Sequence, residues 1–371
     1  MKKVLFLPFL QIPSGHHQVA DALREDLEQL NTNVICEKID ILHYGYGKLE
    51  ALVSSIYLKW IHYSPGSYSW LYKRSVYNGL NNQKNYRLYE FLFMYFIKKM
   101  LTERKPDIVV CSHALPSYML DHLKRQGIIK VPVINVYTDF FIHSFWGTQH
   151  IDYHFVSHRH MKDYLLQKGI SSEKIQVTGI PLHHKIVKNE IKDFTQKDQY
   201  ECTIMGGSLG VGAIEELLKK LGPTGKVHYV ILCGKNNRLY EQLKQLKLPF
   251  IKPMPYISSR AEMDEIYERS DFIITKPGGV TISECLMKGI PIFIYHALPG
   301  QEEINLNQLE KLGVVFPLID WHSNDQLEQH LLSHFDDKDR LVKYRHSLNH
   351  YHDEFSIEPA ANIINKLLHH L

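Results

Sequence analysis

Short apolar strands alternate with amphipathic helices along most of this chain, and this alternation constrains its fold more than any other feature. The first apolar run, KKVLFLPFL, precedes a segment with apolar residues at helical spacing, namely Val19, Leu23, Leu27 and Leu30. The same strand–helix order returns several times before and after a polar stretch at 183–201. Strands that alternate with helices at this density pair in parallel and are covered on both faces. The sequence therefore predicts an α/β fold with two doubly wound, Rossmann-like halves.

The length of the chain predicts more than one domain. Its 371 residues exceed the size at which a single hydrophobic core usually stops growing. We expect an N-terminal domain over 1–182, a linker over 183–201 and a C-terminal domain over 202–345. The last segment, 346–371, contains the amphipathic stretch EPAANIINKLLHHL. We expect this stretch to form a helix that packs back on the N-terminal domain.

Composition argues against several classes of protein. The five cysteines form no C-x-x-C pair and lie mostly in apolar runs, which favours reduced thiols in the cytoplasm over disulfides or a zinc site. The N-terminal apolar run is short and is broken by Pro8 and Gln11, so we interpret it as a buried strand and not as a signal peptide. No segment approaches the ~20 apolar residues that a membrane-spanning helix needs. We expect a soluble protein or one that lies on a surface.

The segment 44–100 concentrates positive charge and aromatic side chains. It holds eight Lys or Arg and two acids, and it carries ten of the 22 tyrosines together with Trp60 and Trp70. Basic residues mixed with Trp and Tyr are typical of proteins that bind an anionic membrane surface. An aromatic helical insertion packed on its own domain explains the composition equally well. We find no recognised nucleic-acid-binding motif that would make nucleic acid the partner.

Glycine-bearing turns follow several predicted strands. In parallel α/β sheets, ligands bind beyond the carboxyl ends of the strands, and with two domains we expect them in the cleft between the domains. The turn at 205–212 places Gly206 and Gly207 before a helix, where backbone amides favour an anion, although tight packing also explains such a turn. A second turn contains Lys235 and Asn236. The cationic side chain of Lys235 could bind a phosphate there, or it could simply be solvated.

The stretch TKPGGVTISECLMKGIPIFIYHALPGQEEINLNQL, 275–309, carries the strongest functional signal. Glu284 lies one turn into the predicted helix, within reach of a vicinal diol such as ribose. After the next strand, Gln301 and Glu302 lie in a turn that could hold the hydroxyls of a sugar. The amides of the first turn would face a diphosphate at the start of the helix. The residues of that turn are Lys276, Pro277, Gly278, Gly279 and Thr281.

This stretch resembles the donor-binding signature of inverting glycosyltransferases of the GT-B fold. The likeness is greatest to monogalactosyldiacylglycerol synthases and bacterial processive diacylglycerol glucosyltransferases, and more distant to the lipid II N-acetylglucosaminyltransferase of cell-wall synthesis. It extends into the first half through PSGHHQVADAL, YTDFFIHSFW and VTGIP. The resemblance implies two doubly wound domains that face each other across a cleft, with a UDP-sugar bound by the second half and a lipid acceptor by the first.

The resemblance also implies roles for individual residues. Glu284 would bind the ribose, and Gln301 and Glu302 the sugar hydroxyls. The backbone around Tyr256 and Ile257 would recognise the uracil. The other residues that we assign to the UDP-sugar site are Gly15, Gly206, Gly207, Ser208, Lys235, Asn236, Lys276, Pro277, Gly278, Gly279 and Thr281.

Inverting transfer requires a base on the acceptor side. The acceptor hydroxyl must lose a proton as it attacks the anomeric carbon, and the charge on the leaving diphosphate must be stabilised. His16 lies at the end of the first strand, and an imidazole with an unperturbed pKa near ~6.5 suits this task. Asp139 and His143 form a second candidate, in which Asp139 is the base or orients a histidine. We find no DxD motif, so no metal is required if backbone amides and a helix N-terminus carry the charge.

The loop that leads to His16 departs from the family pattern. Relatives carry GxGGH or GNGH, whereas this chain has Ile12-Pro13-Ser14-Gly15-His16. Pro13 stiffens a segment that is flexible elsewhere in the family.

The resemblance favours membrane association for the basic aromatic segment, because lipid-acceptor relatives carry such an insertion there. It implies a cytoplasmic protein bound peripherally to the inner face of the cell membrane, with a UDP-sugar, a lipid acceptor and an anionic membrane surface as partners. Three alternatives stay open, which are a transferase with a soluble acceptor, an enzyme similar to UDP-N-acetylglucosamine 2-epimerase, and a non-catalytic UDP-sugar sensor. The identity of the sugar and the oligomeric state are not encoded in these motifs.

Overall fold

The chain folds into two compact units, which are described in turn. A computed structural model describes residues 1–9, 14–47, 87–191, 197–206, 214–221 and 225–370. The first unit consists of Met1–His183 and Glu354–Leu371, and the second of His184–Asp353. Each unit contains a six-stranded parallel sheet. The α/β class with two doubly wound halves is thereby confirmed.

The first unit is built on strands that run parallel throughout. They are β1 (Lys2–Leu7), β2 (Val34–Lys38), β3 (Ile108–Cys111), β4 (Val133–Val136), β5 (Tyr153–Val156) and β6 (Ile175–Val177). Their order in the sheet is β2–β1–β3–β4–β5–β6. The helices that connect them are α1 (Gly15–Leu30), α2 (Ile41–Tyr46), α3 (Arg87–Arg104), α4 (Ala114–Arg125) and α5 (Arg159–Gln167).

The central strands of this sheet are buried on both sides. Every residue of β3 and β4 is buried, as the uninterrupted apolar sequence IVVC of β3 predicts, and in β4 (VINV) the polar Asn135 is buried as well. Helix α1 presents Val19, Leu23 and Leu27 to the core. Leu30, which we expected on the same face, is 49% exposed because it is the last residue of the helix.

The second unit repeats the architecture with a different strand order. Its strands are β7 (Tyr200–Met205), β8 (Val227–Leu232), β9 (Ile251–Met254), β10 (Phe272–Thr275), β11 (Ile292–Ile294) and β12 (Phe316–Pro317). They pair in parallel in the order β12–β11–β10–β7–β8–β9. The helices are α6 (Ile214–Leu221), α7 (Asn237–Leu246), α8 (Arg260–Arg269), α9 (Gly279–Met287), α10 (Gln301–Leu312), α11 (Leu327–Asp336) and α12 (Lys338–Asp353).

Each sheet has a point at which the direction of winding reverses. In the first unit this point lies between β1 and β3, and in the second between β7 and β10. In doubly wound sheets, the loops that leave the carboxyl ends of two such strands usually diverge and open a crevice, and ligands bind there. The first loop of each unit and the loops after β3 and β10 are thus the expected places for function.

The unit boundaries differ in detail from those expected. Of the predicted linker at 183–201, residue 183 belongs to the first unit and the rest to the second. Asn189, for example, donates through its backbone N–H to the carbonyl of Met287 in the second unit. The boundary expected at residue 346 lies after Asp353, because α12 continues unbroken to that residue. The last helix, α13 (Ala360–His369), belongs to the first unit, where Asn365 accepts a hydrogen bond of 2.8 Å from Asn31.

The basic aromatic segment is described only at its two ends. Residues 48–86, which include Trp60 and Trp70, lie outside the described part of the chain. Beyond them, α3 carries Phe91 at 85% exposure and Tyr95 at 67%. Among the described residues, no helix is both long and apolar enough to cross a membrane.

Candidate active site

His16 joins the two strands at the winding reversal of the first sheet. It lies in the first turn of α1, and its Nδ1 is 2.8 Å from the backbone carbonyl oxygen of Ser112, which follows β3. The Oγ1 of Thr138, beyond the end of β4, lies 2.8 Å from the same nitrogen. Three neighbouring strand ends therefore hold one imidazole in a fixed orientation.

The contact with Ser112 also assigns the protonation of this imidazole. A carbonyl oxygen only accepts hydrogen bonds, so Nδ1 must carry the proton and donate to Ser112. The Thr138 oxygen then shares the same N–H group. In the neutral ring the lone pair is left on Nε2, which is the atom able to accept a proton.

The charge of His16 is set by two opposing effects. Burial lowers its pKa below the ordinary value, because the charged ring would lose hydration, and the carboxylate of Asp139 opposes this shift. Asp139 is itself buried, with 9% of its surface exposed. The ring is therefore neutral near pH 7, and a nearby carboxylate stabilises the imidazolium that forms when Nε2 takes up a proton.

The loop that carries Asp139 is held by the end of the neighbouring strand. Ser157 donates through Oγ to the carbonyl of Asp139 at 3.3 Å, and the Nε2 of His158 donates to the carbonyl of Phe140 at 3.1 Å. Both residues directly follow β5. The position of Asp139 thus depends on the β5 end as well as on its own strand.

Two further histidines complete the cluster. The ring of His113, which follows β3, packs edge-on against His16 with centroids 4.8 Å apart, and its Nδ1 caps α4 by accepting from Leu115 N–H at 3.1 Å. His143 accepts from Phe145 N–H at 3.3 Å. Burial, with His16 as the next cause, lowers the pKa of His143 to about 3 and holds that of His113 well below its usual value. The structure therefore groups His16, Asp139 and His143, and it adds His113, which the sequence analysis missed.

At the winding reversal of the second sheet, helix α9 begins beside space that no described residue fills. Gly278 caps α9 at the end of β10, and a Cβ built on it would meet no atom within 4 Å among the described residues. Gly279 and Thr281 form the first turn of this helix, and Pro277 is buried before it. Gly206 directly follows β7, the neighbouring strand, whereas Gly207 and Ser208 lie outside the described residues. The N-terminus of α9 is therefore available to an anion.

Glu302 is engaged by the protein itself. Its Oε1 lies 2.9 Å from Nζ of Lys276, and its Oε2 accepts from the N–H of Leu298 at 2.7 Å. Gln301 is the first residue of α10 and is half-buried. The ion pair therefore connects the end of β10, which carries Lys276, to the segment after β11, which carries Glu302. From the sequence we expected the first place to bind phosphate and the second to bind the sugar.

Glu284 is a buried carboxylate in the second turn of α9. It is 4% exposed, it accepts from the hydroxyl of Tyr267 at 2.7 Å, and Arg260 Nη1 lies 3.5 Å from its other oxygen. Burial raises the pKa of Glu284, while Arg260 and Tyr267 act in the opposite direction. Sequence reasoning missed both partners, although their seven-residue spacing places them on one face of α8.

The remaining predicted donor residues lie beyond β8 and β9. Nζ of Lys235 lies over the ring of Tyr256, 5.4 Å from its centroid, so these two are brought together. Tyr256 is exposed and Ile257 is half-buried. Asn236 has a structural task, since its side chain caps α7 by accepting from Leu239 N–H at 3.0 Å. Among the described residues, no three His, Cys, Asp or Glu side chains are grouped to hold a metal ion.

Comparison with known proteins identifies the family. Residues 16–182 match the model for monogalactosyldiacylglycerol (MGDG) synthase, and residues 201–355 match that for the glycosyltransferase family 28 C-terminal domain. The uncharacterized glycosyltransferase YkoN of Bacillus subtilis (strain 168) is 42% identical over 368 residues, with 99% of this chain and 98% of that protein covered. The chain belongs to this glycosyltransferase family.

More distant relatives agree with this assignment. A processive diacylglycerol β-glucosyltransferase of Bacillus mycoides (strain KBAB4) is 28% identical to the glycosyltransferase over 368 residues, with 96% of this chain and 90% of that protein covered. The solved structure of MurG from Acinetobacter baumannii is 14% identical and covers 100% of both chains with a TM-score of 0.64, a likeness of fold alone. The GT-B fold and the resemblance found in the sequence are both confirmed.

Burial of His143 in its neutral form predicts a loss of stability in acid. The unfolded chain binds a proton on this ring below its ordinary pKa of ~6.5, whereas the folded ring has a pKa of about 3, so the free energy of unfolding falls as pH drops through this window. In His143→Asn the amide oxygen replaces Nδ1 as the acceptor, but the side chain cannot be protonated. Between pH 7.5 and 5.5, we therefore expect the free energy of unfolding of this variant to fall by about 1.4 kcal/mol less than that of the native chain.

Urea denaturation at the two pH values, followed by near-UV circular dichroism, measures this difference. The control is His370→Gln, which replaces an exposed histidine by an uncharged amide. An identical loss in the native chain and in His143→Asn would contradict a lowered pKa of His143 in the folded chain.

Proposed function

We propose that the glycosyltransferase moves a hexose from a UDP-sugar to the hydroxyl of a lipid such as diacylglycerol, with inversion at the anomeric carbon. The observation that carries this proposal is the bond from His16 Nδ1 to Ser112, because it leaves a base at Nε2 on the acceptor side. The family match and a relative named as a diacylglycerol glucosyltransferase support the choice of a lipid acceptor.

The transfer is a single displacement. The acceptor hydroxyl gives its proton to Nε2 of His16 as its oxygen forms a bond to the anomeric carbon, while the bond from that carbon to the diphosphate oxygen breaks. Asp139 stabilises the imidazolium that results, and His113 and His143 stay neutral beside it. The departing electron pair stays on the diphosphate, which leaves as part of UDP.

The leaving diphosphate is stabilised by the start of α9. Backbone amides around Gly278 and Gly279 and the positive end of the helix dipole face the phosphates. Lys276 lies beside them, and its ion pair with Glu302 holds its ammonium group in place. With this charge supplied by the chain, the proposed reaction requires no metal ion.

The rest of the donor is recognised by residues around this turn. Glu284 accepts hydrogen bonds from the ribose hydroxyls, and the backbone near Tyr256 and Ile257 binds the uracil. Gln301 and Glu302 bind the sugar. Glu302 already holds Lys276 and the Leu298 amide, so its two oxygens offer only their remaining lone pairs to the sugar.

The acceptor is taken from an anionic membrane surface on the cytoplasmic side. The segment 44–100 is strongly basic and aromatic, and on α3 Phe91 and Tyr95 expose their rings while Lys98 and Lys99 are also exposed. Exposed aromatics beside lysines suit the lipid–water interface, and each basic side chain contributes ~1 kcal/mol near an anionic surface. Such binding is reversible and weakens as salt is raised.

Transfer to lipid is tested with a panel of UDP-sugars and liposomes. We expect labelled sugar to appear in the lipid fraction from one donor, faster with anionic liposomes that contain diacylglycerol and slower at high salt. Mass spectrometry of the extracted lipid identifies the donor and the product. The same liposomes without diacylglycerol are the control, and they should yield no glycolipid.

Other outcomes of this assay point to other functions. The rate of UDP-sugar turnover could be the same with and without liposomes, with no lipid product formed. This result would contradict the lipid acceptor and favour a soluble acceptor or an epimerase. Tight binding of UDP without turnover of any donor would favour a sensor.

The role of His16 is tested by replacing it. We expect His16→Ala to lower kcat by a factor of ~100 to 10,000, as is usual when a general base is removed, and to leave the dissociation constant of UDP within about threefold. Initial rates of lipid glycosylation and equilibrium titration with UDP measure the two quantities. The neighbouring His17→Ala is the control and should keep near-native kcat, whereas near-native kcat in His16→Ala would show that another group is the base.

A further inference from the structure

Helix α8 directs two side chains at the buried carboxylate of Glu284. Arg260 begins this helix and Tyr267 lies seven residues later, two turns along the same face. The Tyr267 hydroxyl donates to Glu284 Oε2 at 2.7 Å, and Arg260 Nη1 lies 3.5 Å from Oε1. Tyr267 is 1% exposed, so its hydroxyl group exchanges hydration for contacts within the protein, of which the bond to Glu284 is one. Each carboxylate oxygen therefore faces a different partner on α8.

These contacts limit what the carboxylate can still bind. An ionised carboxylate offers about four lone-pair directions, two on each oxygen. Tyr267 occupies one direction on Oε2, and Arg260 draws on one direction of Oε1. Counting only partners in the described part of the chain, about one acceptor direction then remains on each oxygen, which matches the two neighbouring hydroxyls of a ribose ring.

The two helices are tied together one turn further on. Lys288 follows α9 directly, has a fully buried side chain, and lies 2.7 Å from Asp264 and 2.6 Å from Glu268, both on α8. The pairing fixes α8 against α9 close to Glu284 and leaves little freedom for Tyr267 to follow a rotating carboxylate. The plane of the Glu284 carboxylate is therefore set by α8.

We propose that Tyr267, supported by Arg260, is a positioning residue that makes the site selective for nucleotides with both ribose hydroxyls. It holds Glu284 so that its two remaining acceptor directions meet the 2′ and 3′ hydroxyls together. A nucleotide that lacks the 2′ hydroxyl leaves one direction of a buried carboxylate unsatisfied, which costs affinity. This inference rests on the proposed UDP-sugar donor and adds that deoxynucleotide donors are rejected.

The test compares UDP with 2′-deoxy-UDP by isothermal titration calorimetry. For the native protein we expect UDP to bind ~10-fold or more tightly than the deoxy analogue, as for other hydrogen bonds to charged groups. In Tyr267→Phe the ratio should fall below about threefold, chiefly through weaker binding of UDP. The analogue should bind the variant nearly as it binds the native protein, since its phosphates meet the same amides.

A second tyrosine of the same unit gives a matched control. Tyr229 is also buried, and its hydroxyl donates at 2.6 Å to the carboxylate of Glu328, which is 1% exposed. Tyr229→Phe removes the same group from the same kind of bond, so a general loss of stability would affect both variants. In Tyr229→Phe, we expect the ratio of the affinities for UDP and 2′-deoxy-UDP to equal that of the native protein. If Tyr267→Phe does not fold, Arg260→Met, at a partly exposed position, should lower the ratio in its place.

The possible results separate this inference from the function on which it rests. Failure of the native protein to bind UDP would overturn the UDP-sugar donor and this inference with it. UDP binding without discrimination against the deoxy analogue would overturn the inference and leave the donor in place. A native ratio in a folded Tyr267→Phe, or an equal fall in Tyr229→Phe, would show that Tyr267 has only a structural role.

Discussion

The hydrogen bond from His16 to the Ser112 carbonyl is the contact on which the proposed chemistry depends. It joins residues 96 positions apart at the winding reversal of the first sheet, and it settles which ring nitrogen carries the proton. A histidine at the start of a helix without such a partner would rotate and exchange tautomers, and its two nitrogens would be equivalent candidates for the base. Here the strand order itself selects Nε2.

In the second unit, the helix that follows the winding reversal carries a buried carboxylate. Its carboxylate, Glu284, is buried deeply enough that its ionised form is disfavoured, and a cation and a hydroxyl on α8 offset this cost. The buried Lys288 adds a further tie between α8 and α9. Held in this way, the carboxylate is the proposed acceptor for the hydroxyl groups of a ligand.

Much of this arrangement could be predicted from local patterns. Apolar runs and glycine turns located the strand ends, and the strand ends in turn located His16, Gly278 and Glu284. What local patterns do not contain is strand order, and the partners of these residues depend on it or on helix packing. His113 reaches His16 only because β3 pairs with β1, and Tyr267 reaches Glu284 only because α8 packs on α9. The unbroken course of α12 to Asp353 was likewise hidden, since no glycine or proline marks its interior.

The proposed reaction is a single displacement by a hydroxyl that His16 deprotonates. The configuration of the first product tests this claim most directly, by proton NMR of the glycolipid formed from an α-linked UDP-sugar. We expect a β-linked sugar at the anomeric carbon, because attack opposite the leaving diphosphate inverts that centre. An α-linked product would contradict the single displacement and, with it, the role assigned to Nε2 of His16.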